Sequence, residues 1–219
     1  MIIGGRSRLD TALTQYHDLR LGTSQPSAMS WAVTCGHRRM RNVIFSMGVS
    51  LDGYIAGPGG EFDWSAPDDE LHRFHNEQTR ELGAHLCGRR LYETMVYWER
   101  PDTGRGVTER EFARVWQRLP KIVFSSTLAA VEGNARLATG DPAEELAPLQ
   151  GDIAVGGAGL AATLVKRGLV DEFRVFVNPV IVGGGTRFFP ALDHRIDLEL
   201  VETRTFGSRV MYARYRRAD

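Results

Sequence analysis

From Met40 onward, apolar and polar positions follow one another in a readable order. Val43, Phe45, Met47, Val49 and Leu51 alternate with other residues, the period of two that marks a strand. Gly53 and then Gly57-Pro58-Gly59-Gly60 signal a loop. Pro67-Asp68-Asp69-Glu70 stands ahead of Leu71, Phe74 and Leu82. A proline and acids in that place predict a helix start, because carboxylates complement the free N–H groups of a first turn. Ala84 to Cys87 reads as a short strand running into Gly88, and Leu91 to Trp98 as a helix. Glu109 to Leu119 is amphipathic at helical spacing and is ended by Pro120. Lys121 to Phe124 reads as a strand and Pro142 to Leu149 as a short helix.

The second half repeats the alternation of strand and helix. Asp152 to Val155 reads as a buried strand, and Leu160 to Lys166 as a helix closed by Gly168. Phe173, Val175 and Val177 alternate up to Pro179. Two final strands, Leu198 to Phe206 and Val210 to Arg216, meet around Gly207-Ser208. Alternating strands and helices followed by a hairpin predict an α/β fold of three layers. Its central sheet is mainly parallel, flanked by helices, with a C-terminal antiparallel hairpin.

Residues 1–39 break this pattern. They mix Gly, Ser, Thr and Arg, with only Asp10 and Asp18 as acids. We expect a disordered N-terminal extension there and the folded domain over residues 40–219. Arg-rich, acid-poor segments also serve as presequences, and Met40 is an alternative start.

At 219 residues the chain suits one domain with a core that needs no disulfides or metals. Twenty-seven basic residues balance twenty-seven acidic ones, so no overall field favours nucleic acid or an anionic membrane. An anionic ligand must be held locally. No apolar run approaches the ~20 residues of a membrane span, and the amino terminus lacks the apolar stretch of a secretory signal. Cys35 and Cys87 make no disulfide framework or zinc knuckle, which points to a reducing cytoplasm.

Three strand ends carry chemistry. Ile153-Ala-Val-Gly-Gly-Ala-Gly-Leu160 leads a buried strand through three glycines into a helix. Glycine lets a ligand approach the backbone, and the N–H groups of a helix start attract phosphate. The spacing of Gly156, Gly157 and Gly159 differs from the wider G-x-G-x-x-G fingerprint, and tight strand–helix packing would use the same glycines. Cys87-Gly88-Arg89-Arg90-Leu91-Tyr92-Glu93 puts two guanidinium groups at a helix start, able to grip phosphate or to remain solvated. Phe124-Ser125-Ser126-Thr127 offers three hydroxyls that can meet phosphate or ribose oxygens, or cap a turn. Ligands of open α/β sheets sit beyond the carboxyl ends of the strands, where all three turns fall.

In this order the turns resemble the dihydrofolate reductase superfamily, and within it the reductase domain of the bifunctional riboflavin-synthesis enzyme and its stand-alone relatives. Ser50-Leu51-Asp52-Gly53-Tyr54-Ile55-Ala56 is similar to that branch's opening motif, and Val182-Gly183-Gly184-Gly185-Thr186-Arg187-Phe188-Phe189 to its late glycine loop. The likeness runs from about Arg41 to Tyr215. It implies a dihydrofolate reductase-like fold, NADPH as cofactor, a small-molecule substrate and a homodimer. Gly88, Arg89 and Arg90 would take the adenosine side, with Arg89 on the 2′-phosphate and Ser125 and Ser126 sharing it. Gly156-Gly157 matches a pair joined by a cis peptide in relatives, and Ala158, Gly159 and Leu160 would wrap the pyrophosphate. Gly48 and Ile55 match positions flanking the nicotinamide. Leu91 departs from the pattern, since many relatives have Thr there.

Reduction of C=N or C=O also needs a proton. Folate-reducing members carry a tryptophan over the substrate and a carboxylate five residues later; Trp64 and Asp69 fall at that spacing. Asp69 is therefore one catalytic candidate, with a plain helix-start role as the alternative. Asp52, after the first strand, is the other, and a turn residue before Gly53 is its alternative. Gly184, Gly185 and Arg187 would contact substrate, Arg187 being the one cation near the late loop. His72, His75 and His85 form no metal-ligand pattern and read as solvated, as does Arg214-Tyr-Arg-Arg217. The H-x-E and P-C-x-x-C signature of a zinc deaminase is absent, so the likeness is to the reductase half alone. The leading expectation is an NADPH-dependent reductase of a pterin- or pyrimidine-like compound; the rival is a non-catalytic NADP(H)-binding sensor.

Overall fold

The computed structural model describes residues 41–101 and 104–218. The expected extension over residues 1–39, the alternative start at Met40 and Cys35 lie outside the described residues.

Eight strands form one sheet in the spatial order β5-β4-β3-β6-β1-β7-β10-β9. In chain order these are β1 (Val43–Ser50), β3 (Leu82–Gly88), β4 (Lys121–Phe124), β5 (Ala135–Leu137), β6 (Asp152–Gly156), β7 (Glu172–Asn178), β9 (Leu198–Thr205) and β10 (Met211–Arg217). A separate ribbon pairs β2 (Tyr54–Ala56) with β8 (Thr186–Arg187). From β5 to β7 every pairing is parallel, and β10 joins β7 and β9 antiparallel. This is the expected mainly parallel sheet with a terminal antiparallel hairpin.

Helices cover both faces. Val43, Phe45, Ile153, Val155 and Phe173 point to one face and pack with Leu164 and Val165 of α5 (Ala158–Lys166). Phe45 stacks on Phe188 with ring centroids 4.2 Å apart. The opposite face buries Cys87 and Val123 against Phe112 and Trp116 of α3 (Val107–Arg118), and Phe176 and Tyr212 against Leu71 of α1 (Asp69–Arg80). β1 alternates because its odd residues fill the first layer, while Ile44 and Ser46 face the second.

Local signals explain the helix ends. Asp68 caps α1 by accepting from the Leu71 N–H at 2.8 Å, with Asp69 and Glu70 in its first turn. The Glu109 carboxylate reaches back to the Gly106 N–H at 2.7 Å and closes the start of α3. Two expectations shift. The helix expected over Leu91–Trp98 is α2 (Arg89–Met95) followed by a 3₁₀ turn, Val96–Glu99. The helix expected over Pro142–Leu149 is α4 (Pro142–Leu146). Strands β2, β5 and β8 are two or three residues long, too short for a period to show, and exist through partners distant in sequence.

Candidate active site

Neighbouring strands bring the three turns together. Gly88 at the end of β3 stands opposite Phe124 at the end of β4, and Cys87 stands opposite Gly156 at the end of β6. Their turns therefore open at one edge of the sheet. A cleft of about 1210 Å³ runs along that edge, lined by Gly88, Arg89, Arg90, Phe124 and the stretch Gly157 to Leu160. Its far side is the Gly57–Gly60 loop with Ile55, Gly185 and Thr186.

Glycine is required where two turns touch. Gly157 has φ +95°, and a Cβ on it would lie 3.2 Å from the Cα of Gly88. The Gly156–Gly157 peptide, expected to be cis by resemblance, is trans; no cis bond occurs among the described residues. The chain reverses instead through the positive φ of Gly157. That residue is the N-cap of α5, and no side chain caps the helix. The first N–H groups of α5 thus face the cleft, with nothing within 4 Å of a Cβ built on Gly159. Unfilled donors beside open space at Gly159 and a turn that only glycine fits at Gly157 suit a diphosphate.

The cations at the other turn differ from each other. The Arg89 guanidinium donates to Glu93 Oε1 at 2.8 Å and to Thr127 Oγ1 at 2.9 Å. Arg90 lines the cleft and is exposed. Ser125 turns its oxygen inward, accepting from the N–H groups of Thr127 (3.2 Å) and Leu128 (3.0 Å), the turn-capping alternative. Ser126 follows it outside the described lining. Thr127, unremarked in sequence beyond its hydroxyl, is the one that meets Arg89.

A second cavity, a slot of about 480 Å³, opens from the cleft where Met47, Gly48, Leu91 and Met95 border both. It lies between the sheet and helices α1 and α3. Ser65 lines the cleft while Ala66 and Pro67 line the slot, so the segment carrying Trp64 separates the two. The Trp64 indole N–H is buried without a hydrogen-bond partner among the described residues.

The slot holds groups that the sequence did not single out: Glu109, Arg174, Gln78 and Trp98. It also corrects the histidines. His72, His75 and His85 line its wall rather than standing in solvent, and burial pushes His75 and His85 down to about 4. Burial also lowers His72, partly offset by the carboxylates of Glu109 and Asp69. No metal-binding group occurs among the described residues.

Asp69 and Asp52 have other engagements. The Asp69 carboxylate accepts from Arg73 at 3.0 Å and from Thr108 Oγ1 at 3.1 Å, and lies outside the described lining of both cavities. Asp52 accepts from the N–H groups of Val182 (3.2 Å) and Gly183 (2.8 Å), fastening the late glycine loop to the end of β1. A hydrogen bond with Ser50 and these backbone donors hold its carboxyl below the usual range. Within that loop Gly185, at φ +115°, lines the cleft, while Gly184 packs near Pro58. The Arg187 guanidinium sits 4.7 Å over the Tyr54 ring, outside the slot.

Within Arg214-Tyr-Arg-Arg217, Arg216 and Arg217 are exposed as expected, whereas Arg214 is half-buried and paired. Glu172, fully buried on β7, accepts from Arg174 at 2.7 Å and Arg214 at 2.8 Å, with Arg216 at 3.8 Å. Burial raises the Glu172 carboxyl, but the two guanidinium hydrogen bonds outweigh it and the net shift is downward. Arg217 donates to the Gly168 carbonyl at 2.7 Å.

A glycine-edged cleft at the carboxyl ends of parallel strands, joined to a slot on a three-layer sheet, defines a protein of dihydrofolate reductase-like fold. Dihydrofolate reductase from Enterococcus faecalis, solved with NADP(H), shares the fold at TM-score 0.54 and 19% identity, over 81% of this chain and 97% of that one. A Shewanella sp. PV-4 protein assigned to riboflavin biosynthesis superposes at TM-score 0.66 and 21% identity, over 82% and 100%. The deaminase/5-amino-6-(5-phosphoribosylamino)uracil reductase of Thermotoga maritima gives TM-score 0.57 at 19% identity, over 81% of this chain and 57% of that longer one. The chain belongs to the RibD C-terminal domain family, whose model matches residues 41–212. Among curated proteins, the uncharacterised YyaP of Bacillus subtilis (strain 168) is 33% identical over 81% of this chain and 95% of its own length.

Proposed function

We propose that this protein is an NADPH-dependent reductase acting on a small pterin- or pyrimidine-like heterocycle. One observation carries the reading: the turns at Gly88, Phe124 and Gly157 line a single cleft, and that cleft meets the slot at Gly48. Arg89, Arg90 and the free N–H groups of α5 would hold the phosphates of the dinucleotide. When bound, NADPH supplies a hydride to the carbon of a C=N or C=O bond and leaves as NADP⁺, while the nitrogen or oxygen takes a proton.

The protein's own part is to hold the acceptor, exclude water and deliver that proton. Met47, Gly48, Leu91 and Met95 form the shared wall across which the two reactants would meet. Glu109 and His72 line the slot and sense each other electrostatically, so we assign them the proton. Asp69, held by Arg73 and Thr108, could serve only by relay.

The family resemblance extends the proposal to a cytoplasmic homodimer, which light scattering of the purified chain would test. No helix among the described residues is long and apolar enough to cross a membrane. The reaction is tested by following NADPH absorbance with pterins, pyrimidines and small carbonyl compounds. Consumption of NADPH with any ring compound is the expected result. NADPH that neither binds nor is consumed would sink the reading.

A further inference from the structure

We infer that the slot selects an uncharged planar heteroaromatic ring that presents a carbonyl oxygen to Arg174, and turns away phosphorylated or carboxylated versions of the same ring. This rests on the reductase reading above, since it names the substrate class of that site.

The walls are built for a flat ring. Trp98 and Phe112 meet edge to face with centroids 4.8 Å apart, and Phe112 and Trp116 lie nearly parallel at 6.1 Å. All three line the slot, closed on the sheet side by Phe176 and Ala154. Aromatic walls around about 480 Å³ gain most from a planar guest of one or two fused rings.

Charge decides what that guest carries. Arg174 is the one cation among the described lining residues. Its Nε is committed to Glu172, a carboxylate with no exposed surface, which fixes the guanidinium plane. Its terminal nitrogens make no hydrogen bond among the described residues, leaving flat, fixed donors at the slot wall. Only 7% of Arg174 is exposed, so little of the guanidinium is open to a guest. Arg214 and Arg216 share Glu172 but do not line the slot.

The remaining lining groups disfavour an anion. Glu109 adds a carboxylate, and the imidazoles of His75 and His85 are neutral near pH 7 because burial opposes their charging. Arg187, the cation that the sequence offered for a substrate phosphate, is stacked on Tyr54 elsewhere. A phosphate here would face Glu109 with a single, already paired partner, and would lose its hydration without replacement.

The test is tryptophan-fluorescence titration of the full chain with 6-methylpterin against pterin-6-carboxylate, and with uridine against uridine 5′-monophosphate. The uncharged member of each pair should bind at least about tenfold more tightly. Arg174→Gln should weaken 6-methylpterin by about tenfold to a hundredfold and leave NADPH affinity unchanged. If that variant fails to fold, Arg174→Lys keeps the charge beside Glu172 but removes the flat donors, and should show the same loss. Equal or tighter binding of the anions, or full affinity in the variants, overturns the inference. NADPH titrated in the same samples separates the two claims: NADPH binding with no preference for the uncharged rings sinks only the slot's selectivity. Ring preference without NADPH binding sinks the reductase reading.

Discussion

Gly157 rests on Gly88: at φ +95° its missing Cβ would stand 3.2 Å from the Gly88 Cα and 3.3 Å from its N. The approach depends on Gly157, since a Cβ on Gly88 would meet nothing nearer than 3.5 Å. Gly157→Ala meets both a strained backbone and an immovable neighbour. The expected cost is about 1–3 kcal/mol, a melting point lower by roughly 3–10 °C, together with weakened NADPH binding. Thermal unfolding and cofactor titration read both, and a variant unchanged in either leaves the contact without the importance given to it.

Arg89 stands between Glu93 and Thr127 at the mouth of the cleft. A 2′-phosphate would displace Glu93 from the guanidinium. Arg89→Ala should cost about 1.5–3 kcal/mol of NADPH binding, as for a charged hydrogen bond, with NADH nearly unaffected. Fluorescence titration of both cofactors measures this. Equal affinities of the native protein for NADPH and NADH would end the role assigned to Arg89.

His75 and His85 titrate near 4 in the folded chain against an ordinary value of 6.5. Above about pH 6.5 both are neutral whether folded or not, and contribute nothing to pH dependence. As pH falls from there toward about 4, the unfolded chain takes up protons that the folded one refuses, so stability declines. The loss is complete below the folded value and reaches about 3 kcal/mol per imidazole. Urea midpoints at successive pH values should show this slope, and His75→Gln should make it shallower. A midpoint flat across that window would show that the imidazoles charge freely in place.

Glu109 lines the slot whereas Asp69 does not. Glu109→Gln should lower turnover by roughly 10²–10⁴-fold, the usual worth of a positioned acid or base, with NADPH affinity retained. Its amide oxygen can still accept from Gly106, so the start of α3 is kept. Steady-state rates on whichever ring compound consumes NADPH supply the comparison. Should Asp69→Asn carry the loss instead, the proton travels through the helix-start carboxylate.

Much of this molecule is local in origin. The period of two in β1, the Asp68 cap of α1 and the glycine turn after β6 are each written within a dozen residues, where sterics and backbone hydrogen bonding decide the outcome. Parallel strands with helices between them then leave few topologies, which is why the sheet and the cleft edge could be read in advance. Glu109 and Arg174 left only faint signals: an acid on the apolar side of a helix, and a charge inside an apolar strand.

What the chain alone could not disclose depends on pairs far apart in sequence. Asp52 reads as a catalytic candidate or a turn residue until the fold brings Gly183 to it, 131 positions away. Arg214 reads as a solvated strand end until β10 lies beside β7 and Glu172, 42 positions away, takes its proton donors. The histidines of α1 and β3 read as exposed until α3 closes over them. Periodicity reports which face of an element is buried, but burial opposite a particular partner is set by how elements pack, and there the slot acquires its charge and its aromatic walls.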